Sequence, residues 1–181
     1  MMNFINMING KGALTYLEET GIITKVNNVT TPSCPLSINI IPNQFKIYPT
    51  DIGILISMLE DGTTNAIMSN KLGIGKGMIY EALVAEALYK RGGSIFYFAK
   101  ETGLKLDFVI NLSGESMILE VKAQDGNSKS AKTVLKHPEH YGKANLILIK
   151  DKNIGYKDGV LTIPHYMAHL LFKWSSTLPI K

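Results

Sequence analysis

Residues 104–122 read LKLDFVINLSGESMILEVK. Side chains two apart on a strand share a face, and this stretch divides accordingly. Leu104, Leu106, Phe108 and Ile110 alternate with Lys105, Asp107, Val109 and Asn111. Met117, Leu119, Val121 and Ala123 alternate with Ile118, Glu120, Lys122 and Gln124. The pattern predicts two adjacent strands, each with one apolar face turned to a core. Ser113-Gly114-Glu115-Ser116 supplies the turn, with Gly114 free to take positive φ. The other face carries Asp107 on the first strand and Glu120 with Lys122 on the second.

Two carboxylates and a lysine converging on a strand pair can do chemistry. Acidic oxygens suit a hard divalent cation such as Mg²⁺, which prefers oxygen ligands and keeps several waters. The lysine ammonium can orient a water and steady a phosphate oxygen. The same pattern also describes a solvated strand face with a weak ion pair. Upstream, residues 77–92 (GMIYEALVAEALYKRG) read as a helix: rich in Ala, Leu, Met and Glu, free of proline, and ending in a basic turn and a glycine stop. At about 100° per residue, Glu81 falls among Val84, Ala85 and Leu88, on an apolar stripe, while Glu86 lies well round the helix. An acid there is costly unless paired, protonated or bound to metal. A neighbouring lysine satisfying it is the structural alternative.

The order is then a helix with Glu81, a strand over 94–100, a strand with Asp107, a strand with Glu120-Val121-Lys122, a helix and a further strand. This order resembles the PD-(D/E)xK nuclease core, the restriction-endonuclease-like fold. Five segments in sequence, YPTDIGIL, GKGMIYEALVAEAL, LDFVI with EVKA, KSAK and LTIPHYMAHLL, resemble the C-terminal domain of unknown function found on many prokaryotic AAA-type ATPases. The likeness runs from about residue 11 to residue 173. It implies an α/β domain, helix-strand-strand-strand-helix-strand, with a mixed sheet flanked by helices. It also implies Mg²⁺- or Mn²⁺-dependent cleavage of DNA. Asp107 and Glu120 would hold the metal, Glu81 would complete its shell, and Lys122 would stabilise the attacking hydroxide. The sequence departs from the pattern at two places. Lys105 stands where that domain commonly has a glutamate, and Leu106 replaces the proline that conventionally precedes the aspartate. The alternative is an inactive nuclease-like module that binds DNA or protein, partnering an ATPase supplied in trans.

The chain has 181 residues, 45% of them hydrophobic, and a net charge of +4, enough for one main domain with a core and compatible with nucleic acid without requiring it. Its one cysteine, Cys34, precludes an intrachain disulfide and suits a reducing cytoplasm. No apolar run approaches the length of a membrane span. Residues 1–62 are expected to form an N-terminal extension, with a helix over 11–20, a strand over 22–26, a proline-bearing loop over 27–43 and a strand over 45–48. This resembles the tail of a winged-helix module, and because a lone helix and hairpin cannot bury a core, it should pack on the edge of the nuclease-like domain, 63–181. Asp51 is a natural cap for the helix that follows, and 63–75 reads as a linker.

Gly73-Ile74-Gly75-Lys76-Gly77 does not make a phosphate-binding loop: the spacing is wrong and Gly77 replaces the required Ser or Thr, so no ATP site is expected. Lys129, Lys132 and Lys136 recur at spacings of three and four. They form a helical stripe that either faces solvent or holds a DNA backbone at the lip of the site. Gln124 either orients a water there or simply ends its strand. Residues 144–150 predict a buried central strand, and Asp158-Gly159 a hairpin turn. The last helix, 165–175, carries Met167, Leu170, Leu171 and Trp174. His165 and His169 have the spacing of a zinc pair, yet packing or capping explains them better. Oligomers are compatible with all of this.

Overall fold

The computed structural model describes residues 10–71, 73, 75–123 and 128–173. Its centre is the expected hairpin, β4 (Lys105–Leu112) and β5 (Glu115–Lys122). The turn is shorter than expected. Glu115 and Ser116 already pair with Leu112 and Asn111, leaving only Ser113 and Gly114, at φ +54° and +89°. Two consecutive positive φ values match the twist of the flanking strands, and Asn111 Oδ1 accepts the Gly114 N–H at 2.8 Å.

The expectation of one apolar and one solvated face fails, because layers cover both sides of the hairpin. Phe108, Ile110, Met117 and Leu119 pack with Ala82, Ala85 and Leu88 of α4 (Lys76–Tyr89). Leu106, Val109 and Ile118 pack on the other side with Ala131 and Val134 of α5 (Lys129–Lys136). Leu106 and Phe108, two residues apart, therefore lie in different layers. The cause is a register shift against β3 (Ile95–Ala99): Phe96 pairs with Val109 but Phe98 with Leu106. Asp107 and Phe108 together face Tyr97, the two-against-one arrangement of a bulge, which re-aims side chains.

The N-terminal residues form α1 (Gly10–Glu19) and the antiparallel strands β1 (Ile23–Val29) and β2 (Ile40–Pro49). β1 joins β3 in parallel through Asn27–Phe96 and Asn28–Tyr97. Buried Asn28 seals this short contact. Its Nδ2 donates to the Ala99 carbonyl at 3.0 Å and its Oδ1 accepts the Ala99 N–H at 2.9 Å. β2 starts well before the expected 45–48 and includes Pro42. The register jumps between Asn27–Phe45 and Val29–Ile40, and Asn43 has φ +64°. Pro42 thus occupies an irregular stretch of an edge strand, where proline is tolerated.

With β6 (Asn145–Lys150), β7 (Gly155–Lys157) and β8 (Val160–Ile163), the strand order is β2-β1-β3-β4-β5-β6-β8-β7. The sheet is mixed: β5, β6 and β8 run parallel and the other neighbours, apart from β1–β3, are antiparallel. β5 reaches β6 over α5 and a short α6 (Pro138–Tyr141). This is an α/β fold with helices on both faces of eight strands.

Asp51 caps α2 (Ile52–Ser57), accepting the Gly53 N–H at 2.7 Å, and Glu86 Oε2 accepts the Ile52 N–H at 2.7 Å. The expected linker contains another helix, α3 (Thr63–Met68). The closing helix is a 3₁₀ helix, His165–Leu170, rather than an α-helix. His165 and Ala168 are its buried members, Leu171 is buried just past its end, and Trp174 lies outside the described residues. Gly93 is required by packing: a Cβ there would fall 1.9 Å from the Phe172 ring. Among the described residues no helix is long and apolar enough to cross a membrane, and Cys34 is a free thiol.

Candidate functional site

The β4–β5 ladder ends at the Phe108–Leu119 pair. Continued by one step, its register sets Asp107 opposite Glu120. The bulge turns Asp107 back across the gap, where its Oδ2 accepts the Val121 N–H at 2.9 Å. Glu120 is only 3% exposed, enclosed between β4 and the Leu148 position of β6. Lys122 Nζ donates to Glu120 Oε2 at 2.7 Å. Glu120 Oε1 is buried and has no hydrogen-bond partner among the described residues. A buried acceptor left unmade is costly.

Glu81 is held quite differently. Its Oε1 accepts from Lys46 Nζ at 2.6 Å and from Tyr48 Oη at 2.5 Å. Lys46 and Tyr48 are alternate residues of β2, so they share a face. Tyr48 is buried with its ring against Phe108, centroids 5.6 Å apart. Lys46 Nζ also lies 4.9 Å from the Tyr97 ring centroid, a favourable place for a cation. The lysine that Glu81 needed is therefore supplied by a strand far upstream. Neither Lys46 nor Tyr48 was expected at the site. The only sequence signal was the demand itself, an acid on an apolar stripe requiring donors.

The charges are coupled. Burial, then the nearby charge of Glu81, pushes Asp107 above the ordinary aspartate range. Burial, then Asp107, raises Glu120. Burial alone would also raise Glu81, but the Lys46 ammonium and its hydrogen bond, with that of Tyr48, hold it below the usual glutamate range. Burial works against the Lys122 ammonium, yet the Glu120 carboxylate keeps it above the usual lysine range. The Tyr48 hydroxyl is raised by burial and by Glu81, so it remains a donor.

The structure thus brings Asp107, Glu120 and Lys122 together and couples Glu81 to them through space. Among the described residues no group of three or more His, Cys, Asp or Glu side chains is gathered to hold a metal ion. Lys129, Lys132 and Lys136 are exposed along α5. Lys132 and Lys136 line a groove against β6 and β8, and Lys129 does not. Gln124 lies outside the described residues. Lys105 is exposed, and its charge is felt by Glu81 and Lys46. Lys76 opens α4 and donates to Asn70 Oδ1 at 2.8 Å.

His165 and His169 are not brought together. About three residues make a 3₁₀ turn, so positions four apart diverge. His165 is buried and stacked on Tyr80, centroids 4.0 Å apart, and burial lowers its pKa. His169 Nδ1 meets the Tyr166 carbonyl at 2.7 Å.

Comparison with curated proteins gives no match. The family described as a domain of unknown function, DUF4143, matches residues 76–166. That stretch runs from the first turn of α4 into the 3₁₀ helix. It holds Glu81, Asp107, Glu120 and Lys122 but not Lys46 or Tyr48. It covers half of the chain, and the protein therefore belongs to the DUF4143 family.

Proposed function

We propose that this protein is a metal-dependent nuclease of the PD-(D/E)xK, restriction-endonuclease-like type, acting on DNA phosphodiester bonds. One observation carries the reading: two mutually repelling carboxylates, half-buried Asp107 and buried Glu120, meet at the end of a ladder, with Lys122 on one Glu120 oxygen and no partner among the described residues on the other. Perturbed carboxylates gathered at one place are a recurrent mark of a working site. The order of elements supports the same reading. α4, the antiparallel strands β3 to β5, and the parallel crossover through α5 to β6 follow the sequence of the nuclease core that the chain resembles.

The donor set fits a divalent cation. Asp107 and the unpartnered Oε1 of Glu120 offer hard oxygen ligands, and Mg²⁺ commonly takes one or two carboxylates, completing its shell with water and phosphate. When bound, such an ion supplies a water of lowered pKa and screens the phosphate. The protein's own groups do the rest. Asp107 and Glu120 provide the negative charge that selects a cation. Lys122, anchored by Glu120, presents its remaining N–H bonds to a phosphate oxygen and to the charge that builds as water attacks phosphorus. Glu81, fixed by Lys46 and Tyr48, adds fixed negative charge behind Asp107. An AAA-type ATPase supplied in trans is the partner that the same resemblance points to.

The test is cleavage of plasmid and linear DNA with Mg²⁺ or Mn²⁺, for the wild type, Asp107→Asn and Lys122→Met. Cleavage should require the metal and fall about 10²–10³-fold in each variant. Activity surviving in both folded variants overturns the assignment. A second reading, an inactive nucleic-acid- or protein-binding module, draws on two observations: Glu81 is already engaged by Lys46 and Tyr48, and no three-ligand cage is gathered among the described residues. A wild type that binds DNA but neither binds Mn²⁺ nor cleaves would favour it.

A further inference from the structure

Between α5 and the strands β6, β8 and β7 lies an open groove of about 720 Å³. Five lysines line it: Lys132 and Lys136 from α5, Lys150 at the end of β6, Lys152 just beyond it, and Lys157 in β7. Asp158 is the one acid among its described lining residues. Five of the chain's 19 basic residues thus line one groove. The floor is apolar, with Leu148 and Val160 beneath the lysines, and Tyr156 stands at its side, 49% exposed.

We propose that this groove is the track of a single strand of nucleic acid leading to the Asp107–Glu120–Lys122 site. The proposal deepens the nuclease reading and rests on it for what happens at the end of the track. Position is the first argument. Lys150 pairs in register with Lys122 on the adjacent strand, so the near end of the groove opens one strand away from the candidate site. The far end, at Lys136 and Lys157, lies back along β6, about 13 Å away at the usual rise per strand residue. Chemistry is the second argument. A lysine rim over an apolar floor with an exposed aromatic is the combination that binds single strands, through phosphate charge and base stacking. An acidic peptide would use the lysines but not the floor or the tyrosine. A duplex keeps its base faces stacked inside and offers the floor nothing.

The experiment is fluorescence anisotropy of a labelled oligothymidine titrated with the full chain in EDTA, over a series of salt concentrations, so that binding is read without cleavage. Lys132→Ala/Lys157→Ala should weaken binding at least tenfold. It should also reduce the slope of log K against log salt by about 1.4, since each phosphate contact on a single strand contributes about 0.7. Tyr156→Ala should weaken binding about tenfold with the slope unchanged. Removing the same charge elsewhere, in Lys25→Ala/Lys90→Ala, should change affinity much less than the groove pair does. The proposal is overturned if the folded wild type does not bind, if the groove variants bind like wild type, or if polyglutamate or duplex DNA displaces the oligonucleotide as well as an unlabelled single strand does. Groove-dependent binding without metal-dependent cleavage would sink the nuclease reading alone. Cleavage with binding indifferent to the groove would sink the track alone.

Discussion

Glu81 and Glu120 belong to one coupled charge cluster and are treated in opposite ways. Glu81 receives two donors on a single oxygen, from Lys46 and Tyr48, and is held down into its ionised form. Glu120 receives one donor, keeps one buried oxygen without a partner among the described residues, and is pushed up by burial and by Asp107. The first is what a fold does with an acid it must bury. The second is what a fold retains when the acid has something else to bind, because an unmade buried hydrogen bond costs stability. Strain of this kind, held where stability alone would remove it, points to function more strongly than the mere presence of carboxylates.

The largest effect should come from breaking the satisfied side. Lys46→Met leaves half-buried Glu81 without its cation. Removing one partner of a buried pair typically costs about 3–5 kcal/mol, and the lower end applies because Glu81 keeps Tyr48 and some solvent contact. Urea denaturation of the variant should show this loss. A variant as stable as wild type would mean that Glu81 is not held as described, and the contrast would collapse.

The strained side should answer with the opposite sign. Glu120→Gln removes one of two repelling charges and the larger part of the cost of burying a carboxylate, while leaving an oxygen for Lys122. Stability near neutral pH should rise by about 1 kcal/mol, read by the same denaturation, and cleavage should be lost. A fall in stability of similar size would place Glu120 with Glu81, among groups that hold the fold together.

The pH dependence should separate the two without a change of structure. Asp107 and Glu120 have folded pKa values raised above their unfolded ones. Their contribution to stability is greatest below the unfolded values, near pH 4, and is lost as pH rises through the raised values. Glu81 is lowered, so its contribution is present above its unfolded value and is lost as pH falls through the folded one. Thermal melts from pH 3 to pH 8 should show Glu120→Gln gaining on wild type as pH rises. Glu81→Gln should lose ground on wild type as pH rises through the range near pH 4. The two difference curves must slope in opposite directions, and parallel curves would refute the assignment.

Much of the strained half could be read from residues 104–122, because alternation and a turn place Asp107, Glu120 and Lys122 with no knowledge of the rest. Alternation did not reveal that Glu120 is buried. Val109 and Ile118 on the same strands were the hint that a second layer, α5, covers that face. Nor did it reveal the bulge at Asp107, which arises from pairing with β3 rather than from β4 alone. The satisfied half was legible only as a need. Lys46 lies 35 positions before Glu81, on a strand whose proline argued against its length. The meeting of the two depends on β1 joining β3 through a contact that Asn28 seals. Local periodicity carries information about one element at a time, and this pairing is set by how elements order across the sheet.

The smallest expected effect concerns the residue that stands between the two halves. Lys105 is exposed, and its charge helps to keep Glu81 ionised while opposing the charge of Lys46. Lys105→Glu replaces that positive charge by a negative one. Through solvent, one such reversal is worth little, so stability should change by less than about 0.5 kcal/mol. Cation binding responds to the summed charge of the cluster, and affinity for Mn²⁺, measured by calorimetry, should rise about 3–10-fold. A larger rise, with a third oxygen ligand detectable by electron spin resonance of the bound Mn²⁺, would show that the introduced glutamate enters the coordination shell. An unchanged affinity would show that Lys105 acts only on the Glu81 side, and that the coupling between the satisfied and strained carboxylates is too weak to tune the metal.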